Sequence, residues 1–240
     1  MNMEQEKSKI GERMNMEQEK SKIGEMLQAR NKLEQARKAE NFRELNRHAK
    51  KGQILFTGSS LMEQFPVAEI AASRGVPGIF YNRGIGGTTT DDFLREIDAV
   101  LLDLAPKKVF CNIGTNDMTT RIYGEGWMAH LLSNYEKILK TTREKLPDTA
   151  FFCMAYYPTC PAVAKSEWQK ALIRERTKEN IAACNAGVQA LALQYGAAFL
   201  DCNAGLTDEA GNCRQEFSID GVHMYADAYE IVFDNLLPYL

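Results

Sequence analysis

The chain has 240 residues, 45% hydrophobic and 25% charged, an ordinary balance for a globular protein with one sizeable core. Its net charge of −3 points away from a nucleic-acid partner or an anionic membrane surface. No apolar run is long enough to span a bilayer and the first residues are charged rather than signal-like, so a cytoplasmic protein is expected.

The first 25 residues hold a near-perfect duplication: MNMEQEKSKIGE at 1–12 recurs at 14–25, with Arg13 between the copies. A 13-residue period fits neither a heptad nor a solenoid. Each copy begins with methionine, which suggests a duplicated start or an expression artefact; a genuine helical extension is the rival reading. From Met26 to Lys50 apolar residues recur at Leu27, Leu33, Ala36, Phe42, Leu45 and Ala49, predicting an amphipathic helix ended by Gly52. That helix could dock on its own domain or on a second subunit, as in a homodimer. Residues 1–50 are thus set apart as an N-terminal helical extension from a domain over 51–240.

Beyond Gly52 short apolar runs alternate with longer helical ones. Strands are predicted near 54–57, 79–82, 108–113, 150–155 and 197–201, with helices near 61–73, 90–104, 126–145, 167–195 and 225–237. The strands are apolar on both faces, as parallel strands covered by helices must be. The alternation predicts a three-layer α/β/α fold with a flavodoxin-like sheet of about five parallel strands, too few for a closed barrel. Ligands in such sheets bind beyond the carboxyl ends of the strands. The six cysteines lie mostly in apolar or helix-like segments without a C-x-x-C pair, which predicts buried thiols and no metal site.

Four clusters follow those strand ends or precede the last helix: Gly58-Ser59-Ser60, NRGIGGTTTDD at 82–92, GTND at 114–117 and DGVH at 220–223. Each has an ordinary structural reading. Ser60-x-x-Glu63 could be a capping box, and Thr88–Thr90 could cap the next helix. Gly84, Gly86 and Gly87 could serve a tight turn without making the G-x-G-x-x-G dinucleotide fingerprint. Asn116, Asp117 and Asp220-Gly221 could be turn formers, and His223 a satisfied, partly buried histidine. Convergence of all four on one rim favours a functional site.

In this order the clusters resemble the blocks of the SGNH (GDSL-type) hydrolases, a family of esterases and lipases, over residues 53–240. The resemblance implies the SGNH hydrolase fold. It implies a nucleophilic serine at Ser60, an oxyanion-binding backbone N–H at Gly87, an oxyanion-binding side chain at Asn116, and an acid–base pair at Asp220 and His223. Ser59 stands where the family usually has aspartate, a change that bears on the turn more than on the nucleophile. Local geometry leans toward Ser60 over Ser59, since Ser60 would stand at a helix entrance with its own N–H facing a developing oxyanion, helped by the helix dipole. The family match decides for Ser60.

A serine hydroxyl needs a base to take its proton, and histidine suits that task near neutral pH. Of three histidines, His48 and His130 fall in helices away from the strand ends, leaving His223. Asp220 could then accept from its ring N–H, and Ser60 N–H, Gly87 N–H and Asn116 would receive the oxyanion. The expected reaction is hydrolysis of a small-molecule carboxylic ester through an acyl-enzyme, with no metal or organic cofactor.

Substrate contacts are expected from loops after the strands: Met118, Arg121, Tyr123, Tyr156, Tyr157, Arg214 and Phe217. Without an obvious apolar lid, acetyl or another short acyl group, carried for example on a carbohydrate, is favoured over bulk lipid. The resemblance also allows lysophospholipase, thioesterase and platelet-activating-factor-acetylhydrolase-like activities. A rival of another class is a non-catalytic binding or assembly module on the same fold. A flavodoxin-like nucleotide binder would need a phosphate-cradling loop after the first strand, which the sequence lacks.

Overall fold

The computed structural model describes the backbone of residues 3–240 and the side chains of Glu19 and residues 22–240. The duplicated start therefore lies largely outside the residues with described side chains. In chain order the elements are α1 (Met3–His48), β1 (Ile54–Gly58), α2 (Ser60–Glu63), α3 (Val67–Ser73), β2 (Phe80–Asn82), α4 (Thr90–Arg95), α5 (Ile97–Val100), β3 (Lys108–Asn112), α6 (Thr120–Tyr123), α7 (Trp127–Lys145), β4 (Ala150–Met154), α8 (Glu167–Ile173), α9 (Lys178–Gln194), β5 (Ala198–Leu200) and α10 (Ala226–Leu236).

The five strands form one sheet in the order β2-β1-β3-β4-β5, every pair parallel. This is the predicted flavodoxin-like order. Side chains alternate between two cores. Ile54 and Phe56 face one with Val67 and Ile70 of α3 and Tyr229, Val232 and Phe233 of α10. Leu55 and Val109 face the other with Leu131, Tyr135 and Ile138 of α7 and Val188 of α9. Register places Phe56, Phe110 and Phe152 side by side, their rings stacked at 4.8 and 4.7 Å, the kind of cross-strand aromatic contact that holds register. All six cysteines are buried free thiols.

Three predicted helices are broken. The helix expected over 61–73 stops at Glu63 and restarts after Pro66, because proline disfavours helical backbone in the residue before it. That expected over 167–195 is two helices, since Thr177 leaves helical geometry to cap α9 by accepting from Asn180 N–H at 3.2 Å. That expected over 90–104 is interrupted where Glu96 and Leu101 leave helical backbone angles.

The chain forms two compact units, residues 1–38 and 39–240. The division falls inside α1, whereas the sequence reading places it after residue 50. Within the second unit Ala39 is fully buried, and Asn46 donates to Ala99 O at 2.8 Å while accepting from Arg83 Nε at 3.0 Å. The last turns of α1 thus belong to the core of the larger unit.

Candidate active site

β1 ends at Gly58, paired with Asn112 on β3. Its φ of +147° is open to glycine, and a Cβ there would sit 1.9 Å from Asn112 O, so no side chain is tolerated. The chain turns at once: Ser59 N–H donates to Asn112 O at 3.2 Å, Ser59 is the N-cap of α2 and Ser60 its first residue. Ser59 is fully buried. Neither serine caps with its side chain, and Glu63 Oε2 instead accepts from Gly86 N–H at 2.6 Å. The capping-box reading of Ser60-x-x-Glu63 is therefore replaced by a contact between two loops. α2 is a single turn, so the helix dipole expected to assist Ser60 contributes little.

The Ser60 hydroxyl faces His223, with Nε2 2.9 Å from Oγ. His223 Nδ1 lies 2.7 Å from Asp220 Oδ2. Asp220 Oδ1 accepts from the N–H groups of Val222 and His223 at 3.0 and 2.9 Å. A tight loop holds the pair: Ile219 N–H donates to His223 O at 2.8 Å and Gly221 N–H to Ser218 Oγ at 3.0 Å. Burial pushes the Asp220 carboxyl up, but hydrogen bonds from the backbone and ring of His223 and from Val222 outweigh it, so the carboxyl sits below its ordinary value. An ionised Asp220 takes the Nδ1 proton as a hydrogen-bond donor, leaving Nε2 to accept from Ser60. His130 is engaged elsewhere, 2.9 Å from Asp91 and stacked on Tyr123.

The glycine loop lies directly on the serine turn. A Cβ on Gly84 would fall 2.3 Å from Glu63 N, and one on Gly86 would approach Ser60 Cβ at 3.7 Å. Gly87 follows with φ +72° and is exposed. Thr89 closes the loop as a capping box with Asp92 at the start of α4, as the threonine run suggested. Asn116 Nδ2 donates to Thr88 O at 2.9 Å, which ties the third cluster beside Gly87. Ser60, Gly87 and Asn116 are thereby gathered at one rim, beyond the ends of β1, β2 and β3.

Arg176, which the sequence reading passed over, supports Asn116. Arg176 Nη2 donates to Asn116 Oδ1 at 3.1 Å and Nε to Thr115 O at 3.0 Å. With its acceptor end engaged, the amide turns its NH2 group toward Thr88 and the rim. Asp117 is fully buried and accepts from Thr90 N–H at 3.0 Å and Thr90 Oγ1 at 2.5 Å. Burial raises its carboxyl to about 6, against the opposing hydrogen bonds from Thr90.

A cavity of about 390 Å³ opens beside Asn116, lined by Met118, Arg121, Trp168 and Arg176 among others. Of the expected substrate contacts, Met118 and Arg121 line it. The others stand elsewhere, as corrections to the sequence reading. Tyr123 donates to Asp91 at 2.8 Å. Tyr156 is buried, donates to Ile113 O at 2.9 Å, and borders a separate cavity of about 500 Å³ with Asn185 and Asn203. Tyr157 and Phe217 are core residues, and Arg214 covers the Phe217 ring while pairing with Glu216. Aromatic residues after a strand were drawn into packing, which sequence position alone does not reveal. Trp168 carried no motif, and its place in the cavity depends on the break between α8 and α9.

Solved structures place this geometry among known folds. A Streptococcus pneumonia protein provisionally assigned as a platelet activating factor is 28% identical, with a TM-score of 0.81 over 91% of this chain and 98% of that one. A GDSL-like lipase from Bacteroides thetaiotaomicron shares the fold at 18% identity and a TM-score of 0.67, over 83% of this chain and 95% of that one. So does a catalytic mutant of an acetylxylan esterase from Geobacillus stearothermophilus, at 16% identity and a TM-score of 0.56, over 79% of this chain and 94% of that one. No curated protein matches the chain. Residues 58–231 match the model of the GDSL-like Lipase/Acylhydrolase family, from the glycine before the two serines to within α10. The chain belongs to that family.

Proposed function

We propose that the protein hydrolyses carboxylic esters of small acyl groups through an acyl-enzyme on Ser60. The observation that carries this reading is the unbroken succession Asp220–His223–Ser60, with contacts of 2.7 and 2.9 Å. As Ser60 Oγ attacks the ester carbonyl, His223 Nε2 takes its proton, and Asp220 stabilises the imidazolium that forms. The carbonyl oxygen becomes an oxyanion, met by Ser60 N–H, Gly87 N–H and the Asn116 amide. Collapse expels the alcohol, which leaves with the proton from His223. Water then attacks the acyl-serine by the same route in reverse, releasing the acid and restoring Ser60.

The cavity beside Asn116 has three arginines and a glutamate in its lining, a poor surface for a long apolar acyl chain. Acetyl is the acyl group named for the Geobacillus neighbour. Hydrolysis of a para-nitrophenyl ester series from acetyl to decanoyl tests the reading. Turnover should peak at short chains and vanish in Ser60→Ala with the fold retained. Undiminished turnover by Ser60→Ala would remove the assignment.

A further inference from the structure

The cavity beside Asn116 has an unusual charge balance. Its lining includes Arg121, Arg174 and Arg176 and a single carboxylate, Glu175. Both oxygens of Glu175 are occupied within the protein: Oε2 accepts from Thr120 N–H, and Oε1 from Thr120 Oγ1 at 2.9 Å. None of the three arginines has a carboxylate within ion-pair distance among the described residues.

Arg176 makes the imbalance acute. It is 8% exposed, and its hydrogen bonds go to neutral oxygens, those of Thr115, Leu172 and Asn116. Burial lowers its pKa to about 10, with Asp220 and Glu175 opposing that fall from beyond ion-pair range, so it stays cationic at neutral pH. A buried guanidinium without an anionic partner is costly to keep. An anion arriving in the cavity would offset that cost. Arg121 and Arg174 are exposed at its mouth, free to close on the same anion with paired N–H donors. The chain as a whole carries −3, so this patch runs against the net sign of the protein and would draw an anion to the cavity beside Asn116. Trp168 and Ile122, 61% and 56% exposed, add an apolar wall for the atoms that link the anion to the ester.

We propose that this cavity is a subsite for an anionic group, a phosphate or a carboxylate, carried by the ester that Ser60 attacks. The inference rests on the hydrolase reading above, and its test separates the two.

Two matched ester pairs differ only in that charge: acetylglycerol against acetylglycerol phosphate, and para-nitrophenyl butyrate against para-nitrophenyl hemisuccinate. The first places the anion on the alcohol side, the second on the acyl side. In one pair kcat/KM should favour the anionic member by about tenfold, the scale of one charge-assisted hydrogen bond. That ratio should shrink with added salt and fall to about 1 in the double variant Arg121→Gln/Arg174→Gln. Ratios at or below 1 in both pairs, or a ratio unchanged in the double variant, would overturn the subsite. If no ester is cleaved, the hydrolase reading fails. The subsite is then judged by binding alone: glycerol phosphate or succinate should change Trp168 fluorescence saturably in the natural protein and not in the double variant. No saturable change with either ligand would overturn it.

Discussion

Arg176 Nη2 donates to Asn116 Oδ1 at 3.1 Å across 60 positions of sequence. The contact fixes which end of the Asn116 amide faces the rim, and it draws electron density from the amide whose N–H groups would meet an oxyanion. Losing an oxyanion donor outright costs about 100- to 1000-fold in rate, and a disoriented donor should cost less. Arg176→Met should lower kcat on a neutral ester by about 10- to 100-fold with KM within about twofold, and Arg176→Lys should recover part of the loss. A rise in KM with kcat unchanged would show that Arg176 serves ground-state binding instead. A melting curve for each variant separates either result from unfolding.

Asp220→Asn removes the charge that stabilises the His223 imidazolium and presents NH2 where the ring N–H needs an acceptor. Turnover should fall by up to about 10,000-fold, as when a triad aspartate is so replaced, while substrate binding changes little. A rate within about threefold of the natural protein would reduce Asp220 to a turn residue.

The same carboxylate leaves a mark on stability. Its folded pKa is depressed, so its stabilising contribution is present above an unfolded value of about 3.9 and is lost as the pH falls through the folded value. The Asp220→Asn variant should lack that acid-side loss in a series of urea melts below about pH 4. An identical acid limb in both proteins would contradict the assignment.

Asp117 behaves in the opposite sense. Its folded pKa is raised to about 6, above an unfolded value of about 3.9. The folded state therefore holds the proton more tightly. The stability linked to that proton is complete below about 3.9 and declines as the pH rises through the folded value. A carbon-13 NMR titration of the Asp117 carboxyl should give a midpoint near that raised value, and a midpoint below about 4 would contradict it.

Much of this was legible in the sequence because local chemistry determined it. The strands were readable to within about two residues: runs such as ILFT and KVFCN are apolar on both faces because helices cover the sheet on both sides. Ser60, His223 and Asp220 were readable as candidates from the order of four short motifs, and the family resemblance, more than local geometry, chose Ser60 over Ser59. Arg176 was not readable in this way. It sits in LIRERTKEN, a run of charges that reads like any solvated helix face, and its meaning comes from a loop 60 positions away. Tyr157 and Phe217 misled for the reverse reason. They follow strand and loop positions where a ligand was expected, yet burial in the core claimed them. None of the helix breaks was legible from the apolar periodicity, not even the one at Pro66.

The central claim is that a hydroxyl in the first strand–helix turn attacks carbon with an imidazole from the far end of the chain as its base. Labelling with a fluorophosphonate, followed by mass mapping of the modified peptide, tests it most directly. The adduct should fall on Ser60, form at a rate that drops sharply in His223→Ala, and be absent from Ser60→Ala. A folded natural protein that stays unlabelled, or an adduct carried by any other residue, would contradict the account.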